Sequence, residues 1–191
     1  MATVTLFGKG NMGDAIGKNF EAAGNKVNYI TSKDPVENVG EIVVFAVPYD
    51  AEDKIAQEQA DKLAGKTIVE ISNPLNFETW DELVVPADSS AAAELAKKLP
   101  ESNVVKGFNT NFAATLISHK LGDEVATTVQ LAGDSQKAKA EVTQALAGSD
   151  LVVIDAGSLK RARELEALGF LQMTLAANEK IAWTGGFGVI K

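Results

Sequence analysis

The chain has no cysteine among its 191 residues, which excludes disulfides, thiol catalysis and zinc–thiolate centres. It has one histidine, His119. Within Ile117-Ser118-His119-Lys120 that imidazole reads as a solvated or capping residue near a helix end rather than a catalytic one. No stretch approaches the roughly 18 consecutive apolar residues that cross a bilayer. The first strand begins almost at the N-terminus, so no signal peptide is expected and the protein is read as cytoplasmic, with no membrane partner. Basic charge is also scarce: 18 Lys and Arg face 26 Asp and Glu, a net charge of −8. That balance argues against nucleic acid and anionic lipid as partners. What remains, 46% hydrophobic and 23% charged, is the make-up of a globular enzyme with one sizeable core.

Between Thr3 and Gly24 an apolar strand, Val4-Thr5-Leu6-Phe7, runs into Gly8-Lys9-Gly10-Asn11-Met12-Gly13. A helix follows with Ile16, Phe20 and Ala23 on one face. In this order the glycines have distinct mechanical roles: Gly8 permits the tight turn, Gly10 lets backbone approach a diphosphate, and Gly13 lets helix pack on sheet. The free N–H groups of the helix's first turn, Asn11 and Met12 included, would face the phosphates.

The second strand, Lys26-Val27-Asn28-Tyr29-Ile30, ends where a protein that prefers NAD places an acidic residue for the ribose 2′-hydroxyl. Here stand Thr31-Ser32-Lys33, two hydroxyls and an ammonium, which suit a 2′-phosphate. NADP is therefore the expected cofactor, with Ser32 and Lys33 as the main donors and Thr31 as a lesser one. Asp34 and Pro35 read as the N-cap and first position of a short helix.

Further along, Ile42–Val47 reads as a strand buried on both faces and stopped by Pro48. Tyr49–Leu63 reads as a helix closed by Gly65, and Thr67–Ile71 as another strand. Leu75–Asp88, with Phe77 and Trp80, has no clean period, and a connection of that length points to function. Ser89 or Ser90 caps a helix to Lys98, and Asn103–Lys106 is a strand. Phe112–His119 is helical, Ala126–Leu131 a strand, Gln136–Leu146 a helix, Leu151–Ile154 a strand. A last helix is expected from Leu159 to Ile181. The alternation predicts an α/β fold, a Rossmann-type doubly wound, mostly parallel sheet with a short C-terminal α/β extension. Its expected division is a nucleotide-binding domain over residues 1–122 and an extension over 123–191 continuous with the same sheet. Only about eleven residues separate the second and third strands, near the minimum for a parallel crossover. The second strand is therefore expected at a sheet edge, with the adenosine end of the cofactor open.

The fingerprint, Thr31-Ser32-Lys33, Phe45-Ala46-Val47-Pro48, Ile71-Ser72-Asn73-Pro74-Leu75 and Val105-Lys106-Gly107-Phe108-Asn109-Thr110 fall in a fixed order. They are followed by Leu131-Ala132-Gly133-Asp134 and by Asp155-Ala156-Gly157-Ser158-Leu159 leading to Ala162-Arg163 and Leu165-Glu166. In these motifs, over nearly its whole length, the chain resembles the NADPH-dependent reductases of the deazaflavin coenzyme factor 420 and the related oxidoreductase domain of membrane ferric reductases. The resemblance implies hydride transfer between NADP and a flavin-like ring, with factor 420 or a flavin as the small-molecule redox acceptor. It also implies that Ala46, Val47 and Pro48 line the ribose–nicotinamide portion, that Asn73 and Pro74 border the acceptor cleft, and that Gly107 to Thr110, Asn109 included, close the nicotinamide end. The chain departs from the family after the second strand, where a segment is missing, and in the Phe77/Trp80 excursion. No residue is assigned a catalytic acid role, since transfer to a flavin-like ring needs none; Lys106, His119 and Tyr49 have no supporting motif. Two alternatives stay open: reduction of a small carbonyl or imine, and non-catalytic sensing of NADP(H). A homodimer is an open expectation.

Overall fold

The computed structural model describes residues 1–190. Strands β1 (Thr3–Phe7), β2 (Lys26–Ile30), β3 (Ile42–Phe45), β4 (Thr67–Glu70) and β5 (Asn103–Lys106) pair in parallel in the order β2-β1-β3-β4-β5. Two more strands, β8 (Thr128–Gly133) and β9 (Val152–Gly157), extend the same sheet beyond β5. β8 runs antiparallel to β5 and parallel to β9. A two-stranded ribbon of β6 (Lys120–Leu121) and β7 (Val125–Ala126) stands apart. The helices are α1 (Asn11–Ala22), α2 (Tyr49–Leu63), α3 (Ala91–Lys98), α4 (Ala113–Ser118), α5 (Gln136–Ala145) and α6 (Ala162–Ala177), the last entered through a 3₁₀ turn at Leu159–Arg161. This is the expected doubly wound sheet.

The apolar runs explain why the central strands are covered twice. In β3, Ile42 and Val44 enter a core with Ile16 and Phe20 of α1 and Leu116 of α4, while Val43 and Phe45 enter a second core with Leu63 of α2 and Leu95 of α3. Burial on both faces dictates that such a strand be apolar at every position.

Glycine decides the β1–α1 turn. Gly8 has φ +98°, and a Cβ there would lie 2.2 Å from the Ala46 carbonyl oxygen; one on Gly13 would lie 2.5 Å from the Gly8 carbonyl oxygen. A Cβ on Gly10 would meet nothing within 4 Å. Gly8 and Gly13 are thus required by the chain's own packing, and Gly10 faces open space.

Two expectations are corrected. Asp34 caps no helix, because its carboxylate accepts the Thr31 N–H (2.8 Å) and the Thr31 hydroxyl (2.6 Å). The chain beyond it is irregular, with Val36 and Val39 packed against the core around Phe7 and Ile30. The last helix also ends at Ala177 rather than Ile181. Lys180 N–H bonds back to the Leu175 carbonyl and Glu179 takes φ 57°, a left-handed stop. β2 is at one edge of the sheet, as expected from the short crossover.

Gly8→Ala should destabilise the fold by about 2–5 kcal/mol, the combined cost of left-handed strain and overpacking, while Gly10→Ala should stay within about 0.5 kcal/mol of wild type. Urea unfolding of the two variants checks this, and equal losses would mean that the turn is not built as described.

Candidate active site

Strand order reverses beside β1: the chain leaves β1 for β2 on one side and returns to β3 on the other. Ligands of open α/β sheets bind at such a point, beyond the strands' carboxyl ends. A cleft of about 780 Å³ opens there. The structure brings Gly10, Asn11, Met12, Gly13, Ala46, Val47, Pro48, Asn73 and Asn109 together on its lining.

The first turn of α1 faces this space without a side-chain cap, so the early N–H groups of the helix are available to an anion. Together with the open approach at Gly10, that donor set fits a dinucleotide diphosphate. Gly8 lies directly behind, its N–H donated to the Ile30 carbonyl (2.9 Å).

Asn73 and Asn109 face the cleft but spend their amides on each other. Asn73 Nδ2 donates to the Asn109 carbonyl (2.8 Å) and to Met173 Sδ (3.3 Å). Asn109 Nδ2 donates to Asn73 Oδ1 (2.8 Å) and the Leu165 carbonyl (2.8 Å). Gly169 of α6 makes room for the pair, since a Cβ there would lie 2.4 Å from Asn73 Oδ1. Their geometry makes them a brace between the loops after β4 and β5.

Other expected site residues lie elsewhere. Pro74 does not line the cleft; its carbonyl accepts the Val84 N–H (2.7 Å). Thr31, Ser32 and Lys33 are exposed beyond the end of β2, outside the cleft proper. The Thr31 hydroxyl donates to Asp34 (2.6 Å), a bond it would have to exchange to act as the lesser donor expected of it. His119, half-buried, is the left-handed C-cap of α4, with Nε2 3.0 Å from Asn19 Oδ1. It is not on the cleft.

Several lining residues carried no motif signal: Tyr49, Phe112, Met173 and Trp183. Trp183 comes from the tail after α6, which is tied back by Phe187 N–H to Gln172 Oε1 (3.0 Å). Its ring packs on Phe112 at 4.7 Å between centroids. Phe77 also lines the cleft, while Trp80 packs edge-on against it from outside.

Behind Ser72 is a closed cluster of charge. Lys106 is fully buried, with Nζ 2.5 Å from Glu70 and 2.8 Å from Glu166, and it donates to the Ser72 carbonyl at 2.6 Å. Glu166 accepts the Ala91 N–H (3.0 Å) at the start of α3, and Glu70 accepts the Ser72 N–H (2.5 Å). Burial opposes the Lys106 charge, but Glu70 and Glu166 outweigh it and raise its pKa. Burial raises the Glu166 pKa, against the pull of Lys106. Glu52 of α2, 1% exposed, is pushed up to about 10, first by burial and then by Glu70. It is therefore neutral at ordinary pH. Tyr49, on the cleft, is pushed up to about 12 by burial and then by Asp53 and Glu52.

No protein-family model matches the chain. An F420-dependent NADP reductase from Methanocaldococcus jannaschii is 30% identical over 150 residues, 76% of this chain and 66% of that protein. Metalloreductase STEAP3 from Rattus norvegicus is 35% identical over 109 residues, 57% of this chain and 21% of that protein. The chain thus spans just under two thirds of the archaeal relative and about a fifth of the metalloreductase. Among solved structures, a proposed F420-dependent NADP reductase from Arthrobacter sp. FB24 superposes with a TM-score of 0.84 at 23% identity, covering 100% of both chains. That likeness bears on the fold.

The Glu52 carboxyl gives a pH prediction. Its folded pKa of about 10 lies above the unfolded value, so the folded state binds the extra proton between the two. Stability is present in full at low pH and falls as pH rises from the ordinary carboxylate range toward 10, by up to about 1.4 kcal/mol per pH unit. Glu52→Gln, neutral at every pH, should match wild type near pH 5 and melt higher near pH 9. Thermal unfolding at both pH values tests this, and a difference independent of pH would refute it.

Proposed function

We propose that this chain, which belongs to the family of the F420-dependent NADP reductases, transfers a hydride between NADP(H) and a flavin-like or deazaflavin acceptor. The observation that carries the reading is a juxtaposition: the uncapped first turn of α1 and the open approach at Gly10 share one cleft with Ala46–Pro48 and an apolar, aromatic wall. When bound, the nicotinamide supplies the hydride from its C4.

The chain's own work is placement and exclusion of water. In this reading the N–H groups of Asn11, Met12 and Gly13 hold the diphosphate. Gly8 and Gly13 keep the turn tight against Ala46. Ala46, Val47 and Pro48 border the ribose–nicotinamide, and the Asn73–Asn109 brace, with Pro74 fixing the turn, shapes the acceptor side. Beyond β2, Ser32 and Lys33 meet the 2′-phosphate, with Thr31 as a lesser donor. Location in the cytoplasm, a small-molecule redox partner and a homodimer complete the proposal; no helix among the described residues is long and apolar enough to cross a membrane.

One observation favours the carbonyl- or imine-reductase alternative. Among the described residues Tyr49 is the one titratable side chain on the cleft lining, and it keeps its proton, so it could serve as a donor to a new alkoxide or amine. Following NADPH absorbance with flavin mononucleotide, deazariboflavin, a quinone, a ketone and a cyclic imine separates the readings. The proposal expects turnover with the ring acceptors, abolished in Gly10→Val because a branched side chain fills the diphosphate approach. Turnover with the ketone or imine alone would replace it with the alternative, and NADPH binding without turnover would favour a sensor.

Cofactor choice gives a second test. Ser32→Ala with Lys33→Ala should weaken NADPH by roughly 2–4 kcal/mol and leave NADH nearly unchanged. The preference then falls by about two orders of magnitude, as read by calorimetric titration. Equal weakening of both cofactors would place the damage in the fold, and a wild-type preference for NADH would mean that Asp34 reaches the ribose.

A further inference from the structure

The loop between β4 and α3 spends much of its bonding on presenting one aromatic side chain. Leu75 bridges Leu83, Asn76 N–H donates to the Glu82 carbonyl (2.9 Å), and Trp80 N–H donates to the Asn76 carbonyl (2.8 Å). Asn76 Oδ1 accepts the Glu78 N–H (3.0 Å), closing a turn inside the loop. At its tip Trp80 adopts φ 56°, a left-handed conformation that a bulky residue rarely takes without cause. Its ring lies edge-on to Phe77, centroids 5.6 Å apart at 88°.

Phe77, so braced, is 59% exposed and lines the cleft. An ordered hairpin, a strained tryptophan and an uncovered phenylalanine contribute little to the core. Together they fix an aromatic face at the edge of the space that the acceptor would enter. A second aromatic pair, Phe112 and Trp183, lines the same cleft from the loop after β5 and from the tail, with Trp183 50% exposed. Aromatic faces held ready in this way suit a planar ring, which gains both area burial and stacking geometry. A small carbonyl compound has no ring to offer them.

We propose that Phe77 is a specificity-determining residue that stacks on the ring of a planar heteroaromatic acceptor, with Trp80 as its positioning residue. The inference rests on the acceptor reading given above and deepens it. Phe77 lies on the cleft away from the β2 end where Ser32 and Lys33 stand, so its contact is with the acceptor ring rather than with the adenosine end of NADP.

Because Phe77 is largely exposed, Phe77→Ala should fold as wild type does. Riboflavin and deazariboflavin, titrated against the NADP⁺-saturated protein and followed by their own fluorescence, read the ring site. NADPH titration reads the cofactor site separately. Phe77→Ala should weaken both rings about tenfold, Phe77→Trp should restore binding, and NADPH affinity should be the same in all three proteins. Unchanged ring affinity in Phe77→Ala, or a loss of NADPH affinity in step with the rings, would overturn the role of Phe77. If the wild type binds NADPH but neither ring, the acceptor reading falls and this inference falls with it.

Discussion

One ammonium group sealed from water ties the active half of this molecule together. Lys106, at the end of β5, reaches Glu70 at the end of β4, Glu166 on α6 and the Ser72 carbonyl on the cleft wall. Glu166 in turn accepts N–H groups at the start of α3, where the helix dipole favours negative charge. Removing one partner of such a buried set costs about 3–5 kcal/mol, because the remaining charge is left without water or counter-ion. The cluster therefore links β4, β5, α3 and α6 through one buried charge, so that shifting any of them away from it would strand a charged group. Glu52 takes part as a neutral acid, since a further carboxylate beside Glu70 in that space would go unpaid by any second cation.

The cleft inherits its shape from this cluster. The turn Ser72-Asn73 is held at Ser72 from behind and at Asn73 by Asn109 from the side, and Asn109 is anchored to α6 through the Leu165 carbonyl. Across the sheet, Gly8 and Gly13 allow the β1–α1 turn to close on Ala46. A rigid floor with an open helix terminus at one end suits a reaction whose barrier is lowered by holding two rings in register.

At the adenosine end the structure is more open. The short connection between β2 and β3 leaves β2 at one edge of the sheet, with Val36 and Val39 of that connection packed against the core. Asp34 engages Thr31 there, so a carboxylate stands close to the place where the 2′-phosphate is proposed to bind. Its hydrogen bonds to Thr31 hold its pKa below the ordinary range, so it remains charged. Selectivity for NADP at this edge would then depend on the cations and hydroxyl that offset it.

The strand–helix alternation, the glycine fingerprint and the edge position of β2 were legible in the residues themselves, because each depends on local backbone sterics or on the two-faced burial of a short apolar run. The ends of most elements were legible for the same reason: Ser90 caps α3 through its own hydroxyl, and Gly65 follows α2 with a positive φ. The fate of Asp34 was not, since its carboxylate had two local uses and the sequence does not decide between them. Nor were Met173 and Trp183 legible as cleft residues, because no local pattern announces a wall built from opposite ends of the chain. The same holds for the partners of Lys106, which the sequence places at a strand end within a family motif without saying what its ammonium meets. Only the tertiary structure brings Glu70 and Glu166 to it from 36 residues before and 60 after, and burial, a property of the whole fold, turns that meeting into a constraint.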